Sequence, residues 1–178
     1  MEVSKGWCFA VFSKIGLVYF SLPHASLNLA KYNVWKRFEK LMLVGDVYYS
    51  TSKTINTGDD NGKKLYFSLL EYFEKGSGNF DIPLDWENIS DFARKVYEVV
   101  SSIPSGEVRT YNWVAKELGD RNRARAVGQA LKKNPFPLII PCHRVIAAKG
   151  LGGFTGGIEL KKELLNHEGF KFKGSITG

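Results

Sequence analysis

Cysteine is scarce in this chain. Its 178 residues include only Cys8 and Cys142. Two cysteines make no disulfide framework, and in a reducing compartment both are expected as free thiols. Histidine is almost as rare, with His24, His143 and His167 the full set. No dense metal-ligand cluster follows, and Cys8 with His24 cannot complete a tetrahedral zinc site. No apolar run approaches the length of a membrane span, so no membrane partner is expected. The opening MEVSKGWCFAVF lacks the charged start, apolar stretch and small-residue cleavage site of a secretory signal. The expected location is therefore cytoplasmic. Internal repeats and low-complexity tracts are also missing.

Acidic residues are absent from one span in particular. Between Arg121 and Ile158 there is no Asp or Glu, while Arg121, Arg123, Arg125, Lys132, Lys133, Arg144 and Lys149 all fall there. Residues 1–85 carry ten Lys/Arg against nine Asp/Glu, and residues 86–178 carry fifteen against nine. The formal net charge of +7 thus resides almost wholly in the second half. A one-signed basic field favours a polyanionic partner, nucleic acid above all. A solvated basic face is the bland alternative. Cys142 lies inside this field.

A hydrophobic content of 44% suffices for a packed core, and the length suits one large domain or two small ones. Two β-rich runs joined by Ser13-Lys14-Ile15-Gly16 predict a hairpin over 7–22, with Cys8 in its core. A helix-like pattern runs from Ser26 to about Leu43, and a short strand follows at Val47-Tyr48-Tyr49. Residues 51–63 read as a loop. Leu65, Leu69, Leu70 and Phe73 predict a helix over 65–73. Residues 81–89, with Pro83, read as the connection to a second domain. Ser90 caps a helix through Ser102, with Phe92, Val96, Val99 and Ile103 as its core face. Thr110 caps a helix over 111–118, which Gly119 stops. A second helix over 122–133 turns Ala124, Val127, Gly128 and Leu131 inwards and Arg125, Gln129, Lys132 and Lys133 outwards. That pair matches a helix-turn-helix, and the small Ala126 and Gly128 would let a nucleic-acid backbone come close. Gly150 to Gly157 is a glycine-rich loop without the ending of a phosphate-binding loop. It reads as a wing or a pocket wall. A last helix over 159–167 turns Leu160, Leu164 and Leu165 inwards.

The chemistry gathers at Pro141-Cys142-His143-Arg144. Leu138-Ile139-Ile140 reads as a buried strand that ends at a proline, with 145–148 extending it. Cys142 is either a buried structural thiol or a nucleophile. The second reading requires a base or a positive field to populate the thiolate. His143 is the candidate base and Glu168 the candidate orienting group, a thiol version of a hydrolase triad. Neighbours in a strand point to opposite sides, so contact between Cys142 and His143 needs a bend or a bridging water. Asn134 is a candidate for fixing the backbone or joining the relay.

Pro141-Cys142-His143-Arg144-Val145 resembles the signature of the O6-alkylguanine-DNA alkyltransferases. Tyr111, Arg125-Ala126-Val127-Gly128, Asn134-Pro135, the loop 150–157 and Leu164-Leu165-Asn166-His167-Glu168-Gly169 stand in that family's order. The resemblance covers about residues 80–170; the first 80 residues are similar only loosely, to a variable N-terminal domain. It implies an α/β (α+β) fold. A β-rich, ribonuclease H-like domain with a small antiparallel sheet would occupy 1–80. A connection over 81–89 would lead to a mostly helical winged helix-turn-helix domain over 90–178. It further implies a monomer that takes double-stranded DNA containing alkylated guanine, by the minor groove, and needs no cofactor, metal or obligate protein partner. O4-alkylthymine is a further candidate substrate. Arg125 would fill the place of a flipped base and Tyr111 would press on its phosphate. Cys142 would take the alkyl group once, helped by His143, Glu168 and Asn134. Val145 and Thr155 would hold the base through backbone groups, and Lys161 would assist its departure. Two departures stand out. Phe154 replaces the family's usual Tyr, and Arg123 adds a charge where a small residue is common. The zinc ligands of some relatives are absent. Competing readings are a binding module without transfer chemistry, which would not need the cysteine, and a Cys–His hydrolase, which leaves Arg125 unexplained.

Overall fold

The structure, a computed structural model, describes residues 2–3, 6–24, 26 and 60–172, with burial from residue 8 onwards. The chain divides into two compact units, Met1–Glu87 and Asn88–Gly178. Among the described residues the architecture is mixed α/β, with short antiparallel β-pairs, one parallel pair and five α-helices.

In the first unit β1 (Glu2–Val3) pairs antiparallel with β2 (Gly6–Trp7). β3 (Ala10–Phe12) and β4 (Leu17–Phe20) form the expected hairpin, with a register irregularity between Val11 and Phe12. Ser13 shapes its turn. The Ser13 hydroxyl accepts from Ile15 N at 3.1 Å and donates to Asp85 Oδ2 at 2.5 Å. Leu17 N donates to Pro83 O at 2.8 Å, and Asp85 N donates to Leu17 O at 2.9 Å. A Cβ on Gly16 would lie 2.3 Å from Pro83 O, so the approach of the two segments requires glycine there. Residues 83–85 therefore line the hairpin. Most of the segment read as a connector, 81–89, lies in the first unit, whose boundary falls after Glu87. Pro83 fits an edge position because it supplies an acceptor and needs no donor partner.

α1 (Asp60–Lys75) begins inside the stretch read as a loop over 51–63. Asp60 suits the positive end of a helix, and the buried Gly62 gives the first turn close packing. The buried face is Gly62, Leu65, Leu69 and Tyr72; Leu70 and Phe73, expected on it, are half-buried. Cys8, Leu17 and Phe20 are fully buried in the same unit. Burial pushes the Cys8 thiol up to about 12, which makes it an inert core group. The expected helix over 26–43 (Ser26 apart), the strand over 47–49 and most of the loop over 51–63 lie outside the described residues.

In the second unit the Ser90 hydroxyl accepts from Ala93 N and starts α2 (Asp91–Ser101). The buried face is Val96, Tyr97 and Val100, continued by Ile103. Phe92 and Val99 are only half-buried. The rotation follows from Tyr97, which buries its ring and satisfies its hydroxyl on Ala130 O at 2.9 Å. A parallel pair, β5 (Arg109–Thr110) with β6 (Val145–Ile146), brings the start of α3 (Tyr111–Glu117) beside the segment after Cys142. Thr110 caps α3 by accepting from Trp113 N. Gly119, at φ 85°, ends the descent from α3. The helix expected over 122–133 is split. A 3-10 turn, Arg121–Arg123, capped by Asp120, precedes α4 (Ala124–Lys132). α5 (Ile158–His167) closes the unit, and its C-cap is Glu168.

Candidate active site

The apolar run before Cys142 is not a strand. Pro137 and Ile140 face each other across a tight turn, with Leu138 at φ 72°. The left-handed region costs a non-glycine residue about 1–2 kcal/mol, and buried packing of Leu138 and Ile140 holds it there. Asn134 staples the turn. Its Nδ2 donates to Ile140 O at 3.0 Å, and its Oδ1 accepts from Phe136 N at 2.9 Å. Pro135, Pro137 and Pro141 supply no ladder donors, so the segment could not join a sheet. Cys142–Arg144 then forms a 3-10 turn, and only Val145–Ile146 is extended. In such a turn each residue advances by about 120° rather than alternating. The geometry expected of Cys142 and His143 in a strand is replaced by this bend.

His143 is fully buried, and its Nε2 lies 2.7 Å from Glu168 Oε1. Arg144 donates to the same carboxylate from Nε at 2.9 Å and Nη2 at 3.0 Å, and from Nη1 to Ile103 O at 2.6 Å. Burial alone would raise the Glu168 carboxyl. The bonds from His143 and Arg144 outweigh it and hold the pKa at about 2. Burial lowers the His143 pKa against the opposing pull of Glu168, so the ring is neutral at neutral pH. With an ionised carboxylate at Nε2, the ring's proton belongs on Nε2 and Nδ1 carries a free lone pair. His143 Nδ1 is buried and has no hydrogen-bond partner.

Cys142 is buried and forms part of the floor of an open cleft of about 830 Å³. Burial pushes its thiol up; the Asn134 side chain, Lys161 and backbone N–H groups pull it down. At rest it is therefore a thiol that needs a base. The cleft is walled by Tyr111 on α3, Arg125 and Gly128 on α4, and Gly153, Phe154 and Thr155 from the glycine-rich loop. Gly128, expected in the core, faces this cleft instead, 3.8 Å from the Tyr111 ring by its virtual Cβ. Ala130 takes the core place expected for it, while Ala124 is half-buried. Ala126 is exposed on the same helix. The Phe154 ring stands edge-on to His143, with centroids 6.3 Å apart. Thr155 Oγ1 donates to Lys132 O at 3.3 Å.

Lys161 and Glu168, named above for their chemistry, are not among the residues expected on the inward face of α5. Leu160 is expected there, yet Leu160 is half-buried and Lys161 is fully buried. The inward stripe is Lys161, Leu164, Leu165 and Glu168, at helical spacings of three, four and seven. Lys161 Nζ donates to Val145 O at 2.6 Å, to Leu151 O at 2.7 Å and to Gly153 O at 3.4 Å. Val145 is buried and outside the cleft lining. Arg144, absent from the expected site, is part of its electrostatics. Arg123 is held at 3.0 Å by Asp120 and lies over the Phe92 ring, whereas Arg125 is exposed beside the cleft. Among the described residues no group of three or more His, Cys, Asp or Glu could hold a metal ion.

A thiol on the cleft floor, an imidazole oriented by a carboxylate and a basic rim suit nucleophilic chemistry on a polyanionic partner. Comparison gives the family. Residues 91–170 match the 6-O-methylguanine DNA methyltransferase, DNA binding domain. The chain is 45% identical over 114 residues to a methylated-DNA--protein-cysteine methyltransferase of Methanothermobacter thermautotrophicus, covering 63% of this chain and 64% of that protein. Proteins of that description from Sulfolobus acidocaldarius and Saccharolobus islandicus are each 44% identical, covering 64% and 65% of this chain and 72% and 76% of theirs. The O6-methylguanine-DNA methyltransferase of Pyrococcus kodakaraensis superposes with a TM-score of 0.68 at 29% identity, covering 95% of this chain and 96% of that one. Mycobacterium tuberculosis OGT, solved in complex with DNA, gives 0.61 at 31% identity, covering 91% and 92%. This chain belongs to the methylated-DNA–protein-cysteine methyltransferase family.

Proposed function

We propose that this protein repairs alkylated DNA by taking the alkyl group from O6 of guanine onto Cys142, once per molecule. The observation that carries this reading is the thiol on the cleft floor beside a His143–Glu168 pair whose Nδ1 is free to accept a proton. Duplex DNA lies against α3 and α4, used as a helix-turn-helix at the minor groove, with the loop 150–157 as the wing. The first unit serves as a ribonuclease H-like accessory domain. A stacked guanine cannot reach a buried thiol, so the base is flipped, at a cost of a few kcal/mol. Arg125 fills the vacated stack and Tyr111 presses on the target phosphate. Ala126 and Gly128 permit the approach of the backbone.

The base then sits between Phe154, Thr155 and the acceptor turn. Cys142 gives its proton through a bridging water to His143 Nδ1, and Glu168 stabilises the imidazolium on the other side. The thiolate attacks the alkyl carbon; the S–C bond forms as the C–O6 bond breaks. The electron pair leaves on the guanine, which regains one proton from the relay. Asn134 holds the turn and supports the thiolate. Backbone groups of Cys142 and Thr155 hold the guanine edge. The thioether has no easy leaving group, so turnover stops after one event. The same pocket would admit O4-alkylthymine. The chain acts as a cytoplasmic monomer and needs no cofactor.

Intact-mass measurement after incubation with duplex DNA containing O6-methylguanine tests the reading. One added methyl group on Cys142 is expected. Cys142→Ala should stay unmodified yet still bind DNA. Unmodified wild-type protein with bound DNA would replace the reading with that of a binding module.

A further inference from the structure

The glycine-rich wall of the cleft contains little that could hold it in shape by packing. Residues 150–157 include Gly150, Gly152, Gly153, Gly156 and Gly157, and only Leu151 among its residues is buried. Gly150, Gly152 and Gly157 adopt positive φ. Glycines lose more conformational freedom on ordering than any other residue, so such a wall needs specific bonds to stay in place.

Lys161 supplies them. Its fully buried ammonium bonds the carbonyls of Leu151 and Gly153 in the wall and of Val145 behind the acceptor turn. An ammonium has three donors, and three acceptors surround this one. The wall and the turn are thus joined through a single buried cation. Gly153 O also accepts the Tyr111 hydroxyl at 3.3 Å. A Tyr111 that engages a DNA phosphate must release that carbonyl, and Lys161 is the partner left to hold it.

We propose that Lys161 is a positioning residue that clamps the glycine-rich wall to the segment carrying the acceptor thiol, so that the pocket keeps its shape when Tyr111 turns from the wall to DNA. This rests on the alkyl-transfer reading. It assigns Lys161 a role other than protonating the departing base, because its donors are already committed to backbone carbonyls. Charge–dipole bonds of this kind in a buried setting are about twice as strong as neutral ones.

The test uses the full chain with Lys161→Gln and Lys161→Met. Amide hydrogen exchange of residues 150–157 should speed up by at least about tenfold. The limiting single-turnover rate on methylated duplex should fall by about 10². The DNA concentration giving half that rate should move less than about threefold, because the α3–α4 surface is untouched. Iodoacetamide labelling of Cys142 should slow less than transfer does, because it senses only the lost pull of the Lys161 charge on the thiol and needs no shaped pocket. A slowed transfer with unchanged exchange would overturn the clamp in favour of proton donation. Faster exchange with unchanged transfer would overturn the positioning role. If neither variant folds, 15N spectroscopy of wild-type Lys161 Nζ decides. Protons protected from solvent exchange support the clamp, and protons exchanging like those of a solvated lysine refute it. A wild-type protein that takes no methyl group would sink the alkyl-transfer reading while leaving the exchange data to judge the clamp.

Discussion

Glu168→Gln probes the relay most directly, and its size can be worked from the structure. The carboxylate is buried, accepts from His143 and Arg144, and ionises at about 2 instead of 4.5. That difference is worth about 3 kcal/mol of preference for the charged form in the folded state. Glutamine keeps the shape and loses the charge, so the variant should be less stable by about 3 kcal/mol at neutral pH. The sign of the pH dependence follows. A group whose pKa is lowered on folding contributes stability above its unfolded value and loses it as pH falls to the folded value. The wild-type advantage should therefore be complete above about pH 5 and fade towards pH 2. Urea unfolding followed by helical circular dichroism at several pH values measures both quantities. Alkyl transfer should fall by about 10²–10⁴, the usual span for losing an oriented general base. A neutral-pH destabilisation below about 1 kcal/mol, or one that persists unchanged in acid, would refute the account of Glu168 as an ionised carboxylate held by His143 and Arg144.

Arg125→Ala should slow repair of duplex DNA by at least about tenfold while leaving transfer from free O6-benzylguanine within about twofold; equal slowing on both would remove Arg125 from base extrusion. Gly152→Ala would place a methyl 3.0 Å from the Tyr111 ring at φ 69°. The expected cost is about 1–3 kcal/mol in thermal or urea unfolding, with weaker repair, and an unchanged midpoint would show that the wall yields more readily than its geometry indicates.

The legible parts of this site are those where residue type alone carries the chemistry. Cys142, His143 and Glu168 suggest a thiol, a base and an orienting carboxylate without coordinates, although the residues alone leave Cys142 open between structural thiol and nucleophile and the family resemblance decides it. Thr110 and Ser90 mark their helix starts because a hydroxyl before an amphipathic run has one good use. The turn at Leu138 was hidden because a short apolar run reads equally as a strand, and the signal against it lay elsewhere, in three prolines and Asn134. The burial of Lys161 was hidden for another reason. A lysine is scored as polar, so the inward stripe was drawn through Leu160, although 161, 164, 165 and 168 share a face more closely. Its partners are backbone carbonyls, which leave no trace in side-chain pattern. The early start of α1 was masked by Gly58 to Gly62, whose composition resembles a loop even where Gly62 packs inside a helix.

That inward stripe explains why Cys142 sits on a 3-10 turn and not on a strand. A strand residue is fixed by its ladder, and its neighbour faces away, so Cys142 and His143 would serve opposite sides. Here α5 replaces the ladder. Glu168 takes hold of His143 and Arg144, and Lys161 takes hold of Val145. Asn134 secures Ile140 ahead of them. The backbone on both sides of the thiol is bound at fixed points. In-line displacement gains most from reacting groups held within a few tenths of an ångström. The cleft face can then remain open to DNA, because the rigidity comes from behind it.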